Sequence, residues 1–484
     1  MAKTQQTEGC PILSLSHYDL AVSSPLVLVM AAGEGTRMRS SLPKMLHPVC
    51  GRPLVAWPIL AAREAGAGRV ATIISPGIDI SAGLPEGVET VVQPQPDGTG
   101  GAVRAAAPLI EQAETVLVLS GDHPLISAGI ISSFLDAHAS SGAAATMMTI
   151  ELDDPGSYGR VVRDAGGEIE RVVEAKADGD ASAEELAVRE INAGTYAFDA
   201  GPLATALTGL SNDNAQAEYY LTDIFKALRD AGHSVGGHLA DDFAVTMGVN
   251  NRAELAAAEA EARRRILEAH MLAGVTVVDP GTTWIDADVE IAADARIEPG
   301  TSLRGATSVG SSSVVGPLST LIDTRLGENV TVPHSYLVEC DVLDGCSVGP
   351  FAYLRPGAHL EAGAKAGTFV EIKNSRIGEG AKVPHLAYVG DAEVGAGTNL
   401  GAGTITANYD GFRKHRTVIG KDVRIGVDTM LIAPVQVGDA AYTGAGAVIK
   451  KDVPEGALAV SENEQRNIKG YAESKAAKAR EEDS

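Results

Sequence analysis

Aromatic side chains are scarce in this chain: they make up 4% of 484 residues, and two of them are tryptophan. A core cannot then be filled by large rings. It has to be assembled from small aliphatic side chains in thin layers, and 45% hydrophobic residues supply enough of them. Cysteine is scarce as well. Cys10, Cys50, Cys340 and Cys346 follow no metal-ligand spacing and form no disulfide framework, which fits a reducing cytoplasm. Long apolar runs are missing, so no segment reads as a membrane span. Residues 1–24 lack the apolar core of a secretion signal and are expected to be a disordered or loosely docked extension. Positive charge is in deficit: 39 Lys and Arg stand against 63 Asp and Glu, a net charge of −24. That balance excludes nucleic acid and anionic membranes as bulk partners. An anionic substrate must be met by local cationic pockets.

One such pocket is visible in outline. The apolar run Leu26–Met30 reads as a buried parallel strand and leads into a loop that ends at Pro43-Lys44. Small residues at Ala31, Ala32, Gly33 and Gly35 let the backbone approach a ligand, and their N–H groups make a concavity for phosphate oxygens. Glycines alone suit a plain tight turn. Arg37 and Lys44, which bring two cations to the same strand end, argue for a site. The spacing is neither the dinucleotide fingerprint nor the P-loop. Up to about Val249, strand-like runs at 70–74, 88–92, 116–119 and 144–150 alternate with helical stretches at 53–65, 101–107 and 127–139. This predicts a mostly parallel, Rossmann-like α/β sheet that binds ligands at the carboxyl ends of its strands. At those ends stand Gln93, Gly98-Thr99 and Ser120-Gly121-Asp122. Asp122 suits a turn as well as a Mg²⁺ ligand, since that ion takes one or two carboxylates plus phosphate oxygens.

The stretch Met30 to Met38 followed by Pro43-Lys44 resembles the signature of the sugar nucleotidyltransferases, with Met30 where leucine is usual. Tyr158-Gly159-Arg160, Glu174, Ile191-Asn192-Ala193-Gly194 and Gly248-Val249-Asn250-Asn251 narrow the resemblance to the N-acetylglucosamine-1-phosphate uridyltransferases. It implies transfer of a uridylyl group from UTP to N-acetylglucosamine-1-phosphate. By that resemblance Met30, Ala31, Ala32, Gly33 and Lys44 line the nucleotide site, and Arg37 and Lys44 carry the catalysis. Gln93, Gly98 and Thr99 read uracil, Gly159, Glu174 and Asn192 hold the sugar, and Asp122 and Asn250 hold Mg²⁺. Ser120 stands where tyrosine is common in the family.

Residues 253–273, rich in Ala, Glu and Arg, predict a helix that Gly274 ends and that serves as a semi-rigid linker. The period then changes. Aliphatic residues recur every six positions at Ile285, Ile291, Ile297, Leu303, Val309, Val315 and Leu321. The pattern resumes at Val348, Leu354, Leu360, Ala366 and Ile372, and again from Ile419 to Ile449. A fixed short period means a solenoid, here the hexapeptide repeat of a left-handed parallel β-helix, three repeats to a coil. Breaks at 340–347, 375–376 and 409–417 are expected to be loops or slips. Arg355 and Lys373 lie three repeats apart and should stack on one edge, about 4.8 Å apart. Two stacked cations repel unless they splay into water or share an anion.

Arg355-Pro-Gly, Phe369 to Lys373, Val383 to Tyr388, Gly401-Ala-Gly403 and Asn408-Tyr-Asp-Gly411 are similar to the glucosamine-1-phosphate N-acetyltransferases. In that family the domain is joined to a uridyltransferase in a bifunctional enzyme that makes UDP-N-acetylglucosamine for cell-wall peptidoglycan. The resemblance runs from about residue 26 to about 470. It implies that His385 is the general base, with Glu371 orienting it. Arg355, Lys373, Tyr388 and Asn399 bind the sugar phosphate, and Ala402, Asn408, Tyr409, Val427 and Ala445 line the acetyl-CoA site. Val427 stands where serine is common, and Glu462 where some members carry an arginine for a CoA phosphate. Arg413, Lys414, Arg416, Lys450 or Lys451 are candidates to replace that contact. The expected organisation is a uridyltransferase domain at 1–252, the linker at 253–273, and an acetyltransferase domain at 274–484 with a frayed tail. A cytoplasmic homotrimer is expected, with no nucleic acid or membrane partner. Two alternatives remain: a single-activity pyrophosphorylase with a structural or regulatory β-helix, and a β-helix metalloenzyme that would need three convergent histidines.

Overall fold

The computed structural model describes residues 24–156, 158–173, 181–213, 217–461 and 465–482. The expected extension at 1–24 therefore lies almost wholly outside the described residues, as do Glu174 and Glu462. The chain divides into two compact units, Met1–Ala262 and Arg263–Ser484.

The first unit is built on one sheet in which Leu26–Met30 is central, paired in parallel with Arg69–Ile74 on one side and Thr115–Ser120 on the other. Leu26 and Leu28 enter one core, with Phe198 and Phe225, while Val27 and Val29 enter the other, with Ile59 and Phe134. The period of two explains both faces of the sheet: each is apolar, so each must be covered by helices. Glu89–Val92 extends the sheet in parallel beyond Arg69–Ile74. Glu190–Asp199 runs antiparallel between Thr115–Ser120 and Ala145–Glu151, so the sheet is mixed. The helix expected from residue 53 begins later, as Ala56–Glu64, because Arg52–Pro53 is held in a small hairpin against Pro48–Val49. The helix expected at 101–107 begins earlier, as Thr99–Ala105. Ala128–Ser141 is capped at its start by the Ser127 hydroxyl, which accepts from the Ile130 N–H, and stopped by Gly142 in the left-handed region.

The helix Arg252–Leu272 is shared between the units. Its first half is held by the first unit, where Arg252 donates to the Met38 carbonyl (3.3 Å). In its second half Leu267 enters the core of the second unit, and Arg263 lies 4.0 Å from the Trp284 ring centre. Gly274 ends it at φ 96°.

The second unit is a left-handed parallel β-helix whose three faces carry parallel sheets of seven, ten and nine strands. The aliphatic ladder points inward as one continuous core. Ile285 pairs with Leu303 and Leu303 with Leu321, each three hexapeptides on. Leu321 then pairs with Leu337, in a shorter coil. The shortening occurs at corners, so of the two alternatives expected at 340–347, a loop or a slip, the structure shows the slip: the stretch carries the strands Asp341–Val342 and Ser347–Val348. Ser375 is likewise a corner that leads into Arg376–Ile377. Among the described residues the one large insertion lies before Thr417–Ile419, and its loop closes through the bridge between Tyr409 and Lys414.

Candidate active sites

In the first unit the predicted residues gather where the parallel strands finish. Glu190–Asp199 starts at that same end because it runs the other way, which brings Asn192 to the site; its N–H donates to the Gly159 carbonyl (3.0 Å). The Met30 carbonyl accepts from the Gly121 N–H (2.9 Å), and the Ala31 N–H donates to Ile73 (2.8 Å). The Ala32 carbonyl accepts from the Ser75 hydroxyl. A Cβ at Gly33 would meet open space, so no neighbouring side chain competes for it. Gly35 is different: its φ is 63°, and a Cβ there would lie 2.5 Å from the Lys44 Cβ. Its hydrogen is what lets Lys44 sit under the loop.

Lys44 is 9% exposed. Its Nζ lies 2.5 Å from Asp122 Oδ2 and 3.1 Å from Asn250 Oδ1. Arg37 Nη2 donates to the same Asn250 oxygen (2.9 Å). Burial pushes the Asp122 carboxyl up, but the charges of His123 and Lys44 and the Lys44 hydrogen bond outweigh it and hold the group below the usual carboxylate range. Asn250 is itself fixed by Glu254, whose Oε2 accepts from the Asn250 N–H (2.7 Å). No cluster of three or more His, Cys, Asp or Glu able to hold a metal occurs among the described residues. One carboxylate and one amide oxygen already bridged by a single ammonium are nevertheless a fitting pair for a cation whose other ligands come from phosphate.

Gln93 is buried and donates from Nε2 to Asp97 Oδ1 (2.8 Å) and the Gly98 carbonyl (3.1 Å). That leaves its Oε1 as the acceptor, the polarity an imide N–H requires. Gly98 sits at φ 97°, and a Cβ there would lie 2.6 Å from the Tyr219 carbonyl oxygen. The Thr99 hydroxyl accepts from the Leu221 N–H (3.0 Å). Asn192 is engaged within its own strand: Oδ1 accepts from the Gly194 N–H (2.9 Å), and Nδ2 donates to the Tyr196 hydroxyl (2.7 Å).

In the second unit Leu354 pairs with Ile372, so Arg355 and Lys373, each the next residue, occupy one column. Both cations have acids of their own. Arg355 Nη1 donates to Glu371 Oε1 (2.8 Å), and Lys373 Nζ lies 3.8 Å from Asp391 Oδ2. Glu371 thus serves Arg355, in place of the expected part beside His385. Asp391 also accepts from Asn374 Nδ2 (2.7 Å) and Asn408 Nδ2 (2.5 Å). Burial raises its carboxyl, and those amides with Lys373 and Lys414 lower it further, for a net shift down. Lys414 stands against Lys373, whose hydrogen bond and charge depress its ammonium below the ordinary lysine value. Asn408 Nδ2 also reaches the Tyr388 hydroxyl (3.4 Å).

His385 ends the strand Lys382–His385, exposed at a corner of the prism. The coils above repeat that corner: the Gly403 N–H donates to the His385 carbonyl, that of Asp428 to Ala402, and that of Gly446 to Val427. His385, Ala402, Val427 and Ala445 therefore follow one another along a single edge. Asn399 does not join Arg355, Lys373 and Tyr388. It bridges Lys382 and Arg424 on a different face of the same chain. Tyr409 lies in the inserted loop and donates to the Gly411 carbonyl (2.6 Å).

Comparison with known proteins agrees with this division. A MobA-like NTP transferase domain model matches residues 27–186, and a bacterial transferase hexapeptide model matches 416–451. The Bifunctional protein GlmU of Corynebacterium efficiens is 46% identical over 94% of this chain and 94% of its own. That of Streptomyces avermitilis is 48% identical over 93% and 94%, and that of Mycobacterium tuberculosis 46% identical over 93% and 92%. The chain belongs to the GlmU family.

Four residues near the GlmU-type sites went unrecognised in the sequence or were given another part. Asp97 holds Gln93 and, through Oδ2, Arg104 (2.9 Å). His123 has Nδ1 3.0 Å from the Val245 carbonyl oxygen and Nε2 3.7 Å from Asp122. Asp391 could have been found from the repeat, since it follows Gly390, the residue paired with Lys373. Lys414, suggested for a CoA phosphate, stands beside Lys373 instead.

The lowered Asp122 carboxyl sets a pH dependence. Stability from its pair with Lys44 is complete above the unfolded value, about 3.9, and is lost as pH falls through the folded one. Asp122→Asn should cost about 1–3 kcal/mol at neutral pH, and the gap from wild type should narrow as the pH falls below the unfolded value and through the lower folded one. Urea unfolding of both proteins across that range measures it.

Proposed function

We propose that the chain makes UDP-N-acetylglucosamine, a precursor of cell-wall peptidoglycan, in two transfers. The acetyl group of acetyl-CoA goes to glucosamine-1-phosphate. The uridylyl group of UTP then goes to N-acetylglucosamine-1-phosphate, releasing pyrophosphate. The observation that carries this reading is likeness to GlmU proteins over both halves, including the β-helix, which disfavours a single-activity enzyme with a structural prism. Residues 1–252 are assigned to uridylyl transfer, 253–273 to the linker and 274–484 to acetyl transfer.

For uridylyl transfer, the sugar-phosphate oxygen attacks the α-phosphorus, and the bond to pyrophosphate breaks in line. Positioning and charge do most of the work. Met30, Ala31, Ala32 and Gly33 line the phosphates with backbone, and Arg37 and Lys44 stabilise the reacting and leaving groups. Gln93, Gly98 and Thr99 select uracil, and Gly159, Glu174 and Asn192 hold the sugar. Asp122 and Asn250 would hold Mg²⁺, which when bound supplies charge neutralisation at phosphate oxygens.

For acetyl transfer, His385 accepts a proton from the substrate amine. The amine then attacks the thioester carbonyl, and CoA leaves as its thiolate. The exposed imidazole has a ring nitrogen that can take up a proton and give it away again, which suits it to this. Arg355, Lys373 and Tyr388 take the sugar phosphate, with Lys414 as a third cation. Ala402, Asn408, Tyr409, Val427 and Ala445 receive acetyl-CoA along the edge above His385.

The working state is proposed to be a homotrimer in the cytoplasm, where both co-substrates are made. Support comes from the corner beside His385. Leu318, His334, Phe351, Phe369 and Leu386 all have φ between 46° and 59°. Such backbone costs about 1–3 kcal/mol per non-glycine residue. Leu318, Phe351, Phe369 and Leu386 are nonetheless 67%, 55%, 58% and 61% exposed, and the two phenylalanines stack at 5.4 Å. A strained row of exposed apolar groups suits burial against a second copy. Asn399, on another face, would then serve an adjacent copy.

Two predictions follow from the split. His385→Ala should abolish thiol release from acetyl-CoA with glucosamine-1-phosphate while pyrophosphate release from UTP continues, and Asp122→Asn should do the reverse. No thiol release from wild type would return the prism to a structural role. Phe351→Glu with Phe369→Glu should sediment as a monomer and lose acetyl transfer alone; an intact trimer would reject the corner as the interface.

A further inference from the structure

The four residues assigned to phosphate and metal are spent on one another. Lys44 bridges Asp122 Oδ2 (2.5 Å) and Asn250 Oδ1 (3.1 Å), and Arg37 occupies the same amide oxygen (2.9 Å). The oxygens are anchored. The Asp122 carbonyl accepts from the Val249 N–H (2.9 Å), and Asn250 is held by Glu254 (2.7 Å) at the start of a helix capped by Asn251, whose Oδ1 accepts from the Glu254 N–H (3.0 Å). The Lys44 stem is anchored too, lodged where a Gly35 side chain would be. What remains free to move is the far end of the lysine.

This arrangement has a consequence for each ligand alone. A bare divalent cation meets an ammonium between the two oxygens it needs and is repelled. A bare triphosphate meets a Lys44 already neutralised by Asp122 and an Arg37 engaged on the Asn250 amide oxygen. When both arrive together, the cation takes the oxygens and the phosphates take Lys44 and Arg37, so no charge is left uncompensated. The geometry points to Lys44 as an exchangeable place-holder that makes metal and nucleotide binding mutually dependent, so that the site selects the metal–triphosphate complex over either component. Lys44 here is a positioning residue as well as a phosphate ligand. The inference rests on the uridyltransferase reading, in which Asp122 and Asn250 are the metal ligands.

Two binding measurements test it, neither of which reads turnover. Without nucleotide, Lys44→Met should bind Mn²⁺ about tenfold tighter than wild type, the size of one charge-assisted hydrogen bond. Electron paramagnetic resonance of free Mn²⁺ gives the value, and the gain should vanish in Lys44→Met/Asp122→Asn. In EDTA, Asp122→Asn should bind UTP about tenfold tighter than wild type by calorimetry, because Lys44 has been released. This second arm uses an isosteric change and stands even if Lys44→Met does not fold. Unchanged or weaker Mn²⁺ binding by a folded Lys44→Met, or unchanged or weaker UTP binding by Asp122→Asn, overturns the place-holder. A Mn²⁺ gain that survives the second substitution puts the ion elsewhere and overturns it as well. Failure of the uridyltransferase reading looks different: wild type then binds no Mn²⁺–UTP complex at all.

Discussion

The interaction on which the rest depends is the pairing of substrate-facing cations with oxygens of their own chain. A protein of net charge −24 repels phosphorylated substrates at long range and can hold them only where cations are fixed. Cations buried without partners would be costly. Lys44 on Asp122 and Lys373 beside Asp391 are the same solution reached on two unrelated scaffolds. In both, the acid lies below its ordinary range because lysine charge and hydrogen bonds outweigh burial. The second site goes further. Lys414 adds a cation beside Lys373, and its depressed ammonium registers a surplus of positive charge that an anion would relieve.

The two scaffolds reach this arrangement by different means. In the mixed sheet the site is assembled at one end, from loops that leave neighbouring strands, with a glycine at residue 35 making room for the lysine stem. Pieces far apart in sequence, Lys44, Asp122 and Asn250, meet because strand order places their loops side by side. In the prism the site is written by translation. A residue one coil on lies directly above its predecessor, so one choice of side chain at 355 fixes its neighbour at 373. The edge that begins with His385 continues through three further coils in the same way.

What could be read in the sequence follows this difference. Six-residue periodicity located the inward ladder from Ile285 to Ile449 and the stacking of Arg355 on Lys373, because burial repeats the pattern directly. The glycine-rich loop and its cations were legible because small residues beside Arg37 and Lys44 have few other uses. Periodicity does not say how many residues a corner omits, so a break such as 340–347 reads equally as a loop or a slip, and the fold shows the slip. Nor does it say which face an irregular coil presents: Asn399, which the resemblance groups with Arg355, Lys373 and Tyr388, lies on another face of the same chain. Partner choice was the least legible. Glu371 sits near both His385 and Arg355 in sequence, and only the fold shows the guanidinium taking it. The antiparallel direction of Glu190–Asp199 was also hidden, since its residues alternate as they would in either direction.

The most direct test of cation exchange is a crystal structure of the chain with Mg²⁺ and UTP. The account predicts Lys44 Nζ on a phosphate oxygen, beyond ion-pair distance of Asp122, with the metal between Asp122 and Asn250. A nucleotide bound while Lys44 still bridges those two oxygens would contradict it.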